Sequence, residues 1–335
     1  MRVSSSRLKQ GPIPIPIPIP WPRPLALVGL GVILVVASLA AGGCRRRASP
    51  AASERPEGLA WASWPMPNPA SVGLPNPASY DTSSAEVVLD NVTGLAWQKG
   101  TAPDALLWKD ASGYCRDLVL GGNDDWRLPA LVELVSLIDF TRQVPALDPS
   151  AFPDTTGANF WSATPLAGSA GTEEWYLAFS TGFTYHGHGE MLSLRARCVR
   201  TARVSSAAGT TPHYTFPKEG TVLDTRTGLT WQRSVGPSFS SASYDWAEAG
   251  AACRALALDG AGWRLPSVKE LQTLLDLTRQ NPALDPEAFP GAPSNEFWTS
   301  TPVTGSTSDA WYVNFWFGIT NTLARSSTTW ARCVR

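Results

Sequence analysis

The segment Val88-Leu-Asp-Asn-Val-Thr-Gly-Leu-Ala-Trp-Gln98 returns later in the chain as Val222-Leu-Asp-Thr-Arg-Thr-Gly-Leu-Thr-Trp-Gln232. A period of about 135 residues is much longer than the 20–50 residues of solenoid repeats, so it predicts two tandem globular domains. Further matched pairs follow in the same order: Trp126-Arg-Leu-Pro129 with Trp263-Arg-Leu-Pro266, Ala146-Leu-Asp-Pro149 with Ala283-Leu-Asp-Pro286, Phe160-Trp161 with Phe297-Trp298, Trp175-Tyr176 with Trp311-Tyr312, and Arg197-Cys-Val-Arg200 with Arg332-Cys-Val-Arg335.

We place copy 1 at residues 85–201 and copy 2 at residues 218–335. The intervening residues 202–217 are rich in Ser, Ala and Thr and are predicted to form a linker. Because the match spans each copy from end to end, with shifts of only a few residues, we interpret it as a duplication.

The composition is that of a folded, nearly neutral protein. Hydrophobic residues make up 43% and charged residues 16%, and the formal net charge is −1. A nucleic-acid binder usually carries a strong basic excess, which neither copy has. We therefore expect no nucleic-acid partner.

The N-terminus resembles a bacterial lipoprotein signal. A basic start precedes an apolar stretch at residues 25–43, and small residues lead up to Cys44, the residue that such signals lipidate. Ala41 departs from the leucine more often found there. The alternatives are an uncleaved transmembrane helix followed by basic residues and an ordinary secretory signal.

Residues 1–44 are thus predicted to be a signal segment, and residues 45–84, rich in Pro, Ala and Ser, a semi-extended tether. Arg45 follows the lipidation cysteine in place of the aspartate that often retains lipoproteins in the inner membrane. We expect a lipid-anchored protein of the outer membrane, facing the periplasm or the cell surface.

Each copy is predicted to be of the α+β class, with two helices and a small antiparallel sheet. Four positions of copy 1 lie on one helical stripe at about 100° per residue, and the same stripe recurs in copy 2. The proline of Trp-Arg-Leu-Pro is expected to begin a second helix, and an alternation of apolar residues predicts a half-buried strand. The stripes are Trp108, Ala111, Cys115, Leu118 and Trp246, Ala249, Cys253, Leu256, and the alternating residues are Trp175, Leu177, Phe179 and Trp311, Val313, Phe315.

Besides Cys44, each copy has one cysteine on its first helix and one near its end. Four cysteines allow three pairings, and duplication favours the pairing that treats both copies alike, Cys115 with Cys198 and Cys253 with Cys333. These disulfides imply an oxidising compartment and would let each copy fold alone. Reduced core thiols are the alternative, and a zinc site lacks Cys-x-x-Cys spacing.

Four motifs together resemble the Lcl C-terminal domain family, also called domain of unknown function 1566. They are Thr-Gly-Leu-x-Trp-Gln, Trp-Arg-Leu-Pro-x-x-x-Glu-Leu, Phe-Trp-(Ser/Thr) and the terminal Arg-Cys-Val-Arg, and they occur in both copies. The resemblance implies a C-type-lectin-like fold, in which a helix is disulfide-linked to the last strand of the sheet. It also implies glycan binding, because the adhesin that gives the family its name is implicated in binding sulfated glycans.

Two departures limit what the resemblance implies. The acidic balance after residue 44 argues against sulfate recognition, which requires clustered Arg and Lys. The calcium-lectin motifs Glu-Pro-Asn and Trp-Asn-Asp are absent from the sequence, so calcium-dependent sugar binding is not expected. The Arg-Leu-Pro segment is also reminiscent of formylglycine-generating enzymes, but this chain has no spare cysteine for their chemistry.

A metal site is one hypothesis for copy 1. His186, His188 and Glu190 alternate, so on a strand they would share a face and could hold a metal. Copy 2 has no such pattern, and glycine-interleaved histidines also occur at exposed hairpin tips. We expect no other cofactor.

Aromatic residues provide the second hypothesis. Trp316 takes the place of Ser180 and is predicted to be exposed, where a tryptophan can stack on a sugar or anchor an interface. Tyr312, Trp330 and Tyr176 complete the predicted contact set. The alternative is packing against a neighbouring loop or the other copy.

Several charged residues are expected to stabilise the fold instead. Asp139 with Arg142 and Asp276 with Arg279 should fix the loop after the second helix, and Arg127 and Arg264 should pair with Glu133 and Glu270. The sequence contains no Gly-x-Ser-x-Gly elbow, His-Glu-x-x-His motif or phosphate-binding loop. None of the three histidines is matched between copies, so we expect no enzyme.

The sequence thus predicts a non-catalytic envelope lipoprotein whose two lectin-like modules bind a glycan or another extracellular ligand. One alternative is a structural or protein-interaction lipoprotein of envelope assembly. The other is a divergent metal-dependent enzyme.

Overall fold

The computed structural model describes residues 66–201, 213–235 and 243–335. Each copy combines two short helices with small antiparallel sheets. Copy 1 contains β1 (Tyr80–Asp81), β2 (Val87–Asp90), β3 (Leu95–Gln98), α1 (Trp108–Arg116), α2 (Leu131–Ser136), β4 (Asn159–Pro165), β5 (Glu173–Ala178), β6 (Thr184–His188) and β7 (Val199–Thr201). Copy 2 contains β8 (Tyr214–Thr215), β9 (Thr221–Asp224), β10 (Thr230–Gln232), α3 (Trp246–Ala255), α4 (Val268–Gln272), β11 (Glu296–Pro302), β12 (Asp309–Asn314) and β13 (Thr320–Ala324).

The strands of each copy form two sheets, whereas the sequence predicted one. In copy 1 they are ordered β1-β2-β3-β7 and β4-β5-β6, and in copy 2 β10-β9-β8 and β11-β12-β13. Within the first sheet the repeated Thr-Gly turn joins β2 to β3 and β9 to β10, and Gly94 and Gly228 in these turns have φ of 75° and 73°. Glycine adopts this left-handed backbone without the steric cost of a Cβ.

The predicted helices are present at the predicted places. Ala111 and Cys115 of α1 are fully buried, as are Ala249 and Cys253 of α3. The proline prediction was wrong in detail: α2 begins at Leu131, two residues after Pro129, with Ala130 as its N-cap. A proline here ends the preceding extended segment instead of occupying the first helical turn.

Both disulfides form as predicted. Cys115 is bonded to Cys198, and Cys253 to Cys333. Each bond joins the first helix of a copy to its terminal segment and lies in a small core beside a buried tryptophan, Trp161 in copy 1 and Trp298 in copy 2.

The predicted charged pairs are also confirmed. Arg127 donates to both carboxylate oxygens of Glu133, at 2.7 and 2.6 Å. Asp139 accepts from the backbone and hydroxyl of Thr141 and from Arg142. Arg264 with Glu270, and Asp276 with Thr278 and Arg279, repeat these contacts in copy 2.

The terminal Arg-Cys-Val-Arg motif plays a role that the sequence did not reveal. Arg197 is fully buried, with its guanidinium 4.5 Å from the ring centre of Phe152. Burial lowers its pKa to about 9. Arg332 repeats this arrangement over Phe289, so the first arginine of each motif is part of the core.

The two copies pack against each other. Their described residues belong to one compact unit, and the largest core cluster contains residues of both copies. Helices α2 and α4 pack together, and so do β6 and β13. Each copy thus presents equivalent elements to the other, which is the arrangement of an isologous dimer.

Hydrogen bonds reinforce this interface. Thr320 N donates to Thr184 Oγ1 at 2.8 Å. Gln143 Nε2 donates to Thr304 O at 2.8 Å, and Thr304 Oγ1 to Phe140 O at 2.8 Å. Each copy thus uses the other to cover apolar surface, and the expectation that each copy folds alone stays a prediction.

The folded region is larger than the predicted boundaries. Residues 66–84 of the predicted tether pack on the molecule, with Asn68 buried and Tyr80 in contact with Phe152. Residues 213–217 of the predicted linker extend copy 2 in the same way, because Tyr214 packs on Phe289. The signal segment, Cys44, the tether up to residue 65 and linker residues 202–212 lie outside the described residues. None of the helices in the described ranges combines the length and apolar character needed to cross a membrane.

Candidate functional site

The two features that distinguish the copies meet at the interface between them. Trp316 follows β12 in copy 2, and its ring centre lies 6.1 Å from that of Phe317. The ring of Phe317 is in turn 5.5 Å from that of His186, on β6 of copy 1. An aromatic path therefore leads from copy 2 directly to the histidines of copy 1.

The close approach of β6 and β13 makes this path. The turn that carries Trp316 and Phe317 leads into β13, and Gly318 at its end has φ of 113°. A Cβ at Gly318 would lie 2.6 Å from Leu277 Cδ2. Glycine is favoured here because a side chain would strain this left-handed backbone conformation.

A carboxylate connects the two histidines. In the register of the β5–β6 hairpin, Glu173 lies opposite His188 and Trp175 opposite His186. Glu173 Oε2 is 2.6 Å from His186 Nδ1, and its Oε1 is 3.9 Å from His188 Nε2. We call Trp316, Phe317, His186, Glu173 and His188 together the aromatic–histidine strip.

The two ends of the strip are exposed to solvent, and its middle is more buried. Trp316 is 44% exposed and the His188 side chain 56%, whereas the side chains of His186 and Glu173 are about one quarter exposed. His186 also packs edge-on against buried Trp175. An exposed indole can stack on an apolar sugar face, and the carboxylate and imidazole at the other end of the strip can hydrogen-bond sugar hydroxyls.

The predicted metal set is arranged differently from the hypothesis. Glu173, not Glu190, contacts His186 and His188, because β6 ends at His188 and Glu190 follows in an exposed turn. Within residues 66–201, 213–235 and 243–335, no group of three or more His, Cys, Asp or Glu side chains is placed to hold a metal ion.

The other predicted contact residues have different neighbours. Tyr176 stacks on Tyr185 at 5.5 Å and meets Trp161 edge-on at 5.8 Å. Strand alternation puts Tyr176 on the face of the sheet opposite Trp175 and His186. Burial raises the pKa of this hydroxyl, so it stays neutral at physiological pH.

Tyr312 and Trp330 belong to the packing of copy 2. Tyr312 lies opposite Trp298 and Asn321 in register and is half-buried, and burial raises the pKa of its hydroxyl. Trp330 packs on Phe297 at 6.4 Å. Of the four predicted aromatic residues, Trp316 is the one with a largely exposed ring.

Sequence reasoning missed Glu173 and Phe317. Phe317 could have been found by comparing the copies, because it replaces Thr181, whereas Glu173 aligns with Asp309 and both positions are carboxylates. The hairpin register around Gly182 would then have placed Glu173 opposite His188. Without the contact between β6 and β13, however, nothing in the sequence joins Phe317 to His186.

Comparison with known proteins adds the family. A family model described as the Lcl C-terminal domain matches residues 86–200 and again residues 220–335. None of the curated proteins compared with this chain matches it.

Proposed function

The chain belongs to the Lcl C-terminal domain family, and we propose that it is a non-catalytic envelope lipoprotein whose paired lectin-like modules recognise a glycan. The single observation that supports this best is the aromatic–histidine strip, where exposed Trp316 contacts Phe317 and Phe317 in turn contacts His186 of the other copy. The helix disulfide-bonded to the terminal segment in each copy is consistent with a lectin-like fold.

The strip favours a neutral glycan. Trp316 would stack on the apolar face of one sugar ring, while Glu173 accepts hydrogen bonds from hydroxyl groups of the next. Because Glu173 is a carboxylate, it would repel sulfate groups placed at this point. The hydrogen-bonded interface between the copies would hold both contacts in place before the ligand arrives, which would reduce the entropic cost of binding.

Replacing Trp316 by alanine is expected to weaken glycan binding by about five- to thirtyfold. Loss of an aromatic anchor at a binding site costs about 1–2 kcal/mol, and about 1.4 kcal/mol corresponds to tenfold in affinity. A glycan array with the purified protein identifies the ligand, and titration calorimetry then measures both variants.

Phe216→Ala is the matched control, because Phe216 is also 44% exposed in copy 2 and packs on Arg233 instead of the strip. It should bind as the unmodified protein does. Equal binding by Trp316→Ala, or recovery of a crosslinked protein partner with no glycan bound, would refute glycan recognition by the strip.

Lipid attachment is a separate expectation that depends on the sequence around Cys44. Cys44→Ser should abolish incorporation of radiolabelled palmitate and leave an unprocessed precursor, because the thiol is the acceptor of the lipid. Ala41→Leu is the matched control and should retain labelling. A Cys44→Ser protein that is processed and released as before would indicate an ordinary secretory signal instead.

A further inference from the structure

A cavity of about 310 Å³ lies where three parts of the molecule meet. Its walls come from the folded N-terminal segment, from the stretch between the end of α2 and Arg142, and from α4. The cavity therefore exists only because copy 2 and the N-terminal segment both pack against copy 1. The polar side chains that line it include Tyr80, Asp139, Arg142, Asp148 and Lys269.

Lys269 is a buried amine in the wall of this cavity. It is 3% exposed, and its Nζ donates to Pro67 O at 2.5 Å and to Ser136 O at 3.0 Å. A neutral amine has two N–H groups and one lone pair, so two carbonyl acceptors satisfy its donors and leave the lone pair as the remaining position. An ammonium group would have a third N–H to satisfy.

The surroundings favour the neutral amine. Burial lowers the pKa of Lys269 to about 7, although Asp139 and Asp90 partly oppose this shift. In the part of the chain that the structure describes, no carboxylate oxygen lies within 4 Å of Lys269 Nζ to form an ion pair. The charged or titratable groups that face it are Asp90 on β2, Asp139 and Arg142 after α2, Asp148 further along copy 1, and Tyr80 on β1.

We propose that Lys269 forms an imine with a small hydroxylated aldehyde that enters this cavity. The lone pair of Nζ attacks the carbonyl carbon and a C–N bond forms, while the carbonyl oxygen takes up a proton. The carbinolamine then loses that oxygen as water, using the protons of the amine, and a C=N bond remains. One water is released and no oxidant or reductant is required.

The cavity suits such a ligand in size and polarity. Its volume is at the low end of small-molecule sites, about 300–1,000 Å³. Burial and the nearby Asp90, Asp148 and Asp139 raise the pKa of Tyr80, so its hydroxyl remains a hydrogen-bond donor for the aldehyde oxygen. Asp148 and Arg142 can accept from and donate to the hydroxyl groups of the ligand.

This site has arisen in one copy only. The residue equivalent to Lys269 in copy 1 is Val132, so the amine is not part of the duplicated scaffold. The inference is independent of the aromatic–histidine strip, which involves none of the residues that line the cavity.

The test labels the purified full chain with glycolaldehyde and sodium cyanoborohydride at pH 7, followed by digestion and mass spectrometry of each lysine peptide. Lys99, Lys109 and Lys218 are internal controls within the same molecule. We expect Lys269 to be modified at least tenfold faster than each of them. Its rate should level off above about pH 8, whereas the control lysines should continue to react faster up to about pH 10.

A variant that blocks the cavity tests whether the aldehyde reaches Lys269 through it. Ser71 lines the cavity and is exposed, so Ser71→Trp should block labelling of Lys269 without unfolding the protein. Ser83→Trp, on the same segment but away from the cavity, should leave the labelling unchanged. If Lys269 reacts no faster than the control lysines, the amine only joins Pro67 and Ser136 to α4 of copy 2, and the proposal is overturned.

Discussion

Trp311→Ala is expected to lower the free energy of unfolding by about 3–5 kcal/mol and to destabilise both copies together. Trp311 lies on β12 of copy 2 and is 2% exposed. Its ring meets Phe140 at 4.9 Å and Phe183 at 5.2 Å, both of which belong to copy 1. No group in the described part of the chain hydrogen-bonds to the indole Nε1, so the expected loss is mainly one of apolar packing.

The measurement combines guanidinium denaturation with hydrogen exchange followed by mass spectrometry. If both copies unfold as one unit, peptides covering β5 in copy 1 and β12 in copy 2 should lose the same amount of protection. Trp316→Ala is the matched control, because it removes the same side chain from an exposed position nearby, and it should change stability by less than about 1 kcal/mol. Loss of protection in copy 2 alone would show that the copies unfold separately.

Much of the scaffold could be predicted from the sequence, because duplication turns single observations into pairs. The helix stripe with its cysteine occurs twice, which favoured one disulfide pairing out of three. The spacing between Arg127 and Glu133 recurs between Arg264 and Glu270, and both pairs form. Local periodicity and short-range pairing decide such features, so sequence alone was sufficient.

The interface between the copies could not be predicted in this way. An apolar stripe on α2 has the same appearance whether it packs within its own copy or against α4. Phe140 and Phe183 are ordinary core residues in the sequence of copy 1, and only the structure shows that they cover Trp311. Burial of Arg197 was missed for a related reason, because arginine is almost always exposed unless it is paired.

The candidate site also has a part that local sequence reveals and a part that depends on contacts between the copies. Trp316 was recognised because it breaks the match between copies, and its exposure agrees with the prediction. Its connection to His186 passes through Phe317 and depends on how β6 meets β13, which no local pattern encodes. Lys269 was overlooked because its burial comes from Pro67 and Ser136, which are distant in sequence and lie outside copy 2.

Removal of one disulfide should have an effect as large as the loss of Trp311. Replacing Cys115 and Cys198 together by alanine is expected to destabilise the protein by about 4–5 kcal/mol, because the bond closes a long loop and restricts the unfolded chain. The two cysteines are separated by 83 residues. Alanine is the better replacement, since both sulfur atoms are fully buried and a serine hydroxyl would have to be buried with them.

The same double replacement at Cys253 and Cys333 provides the matched variant, because its loop of 80 residues differs little in length. On the entropic account both variants should shift the guanidinium midpoint by the same amount. Because the copies share one core, removing either disulfide should also speed up hydrogen exchange in the copy whose disulfide is intact. A free energy of unfolding within about 1 kcal/mol of that of the unmodified protein would show that packing of the two copies, and not the cross-link, limits unfolding.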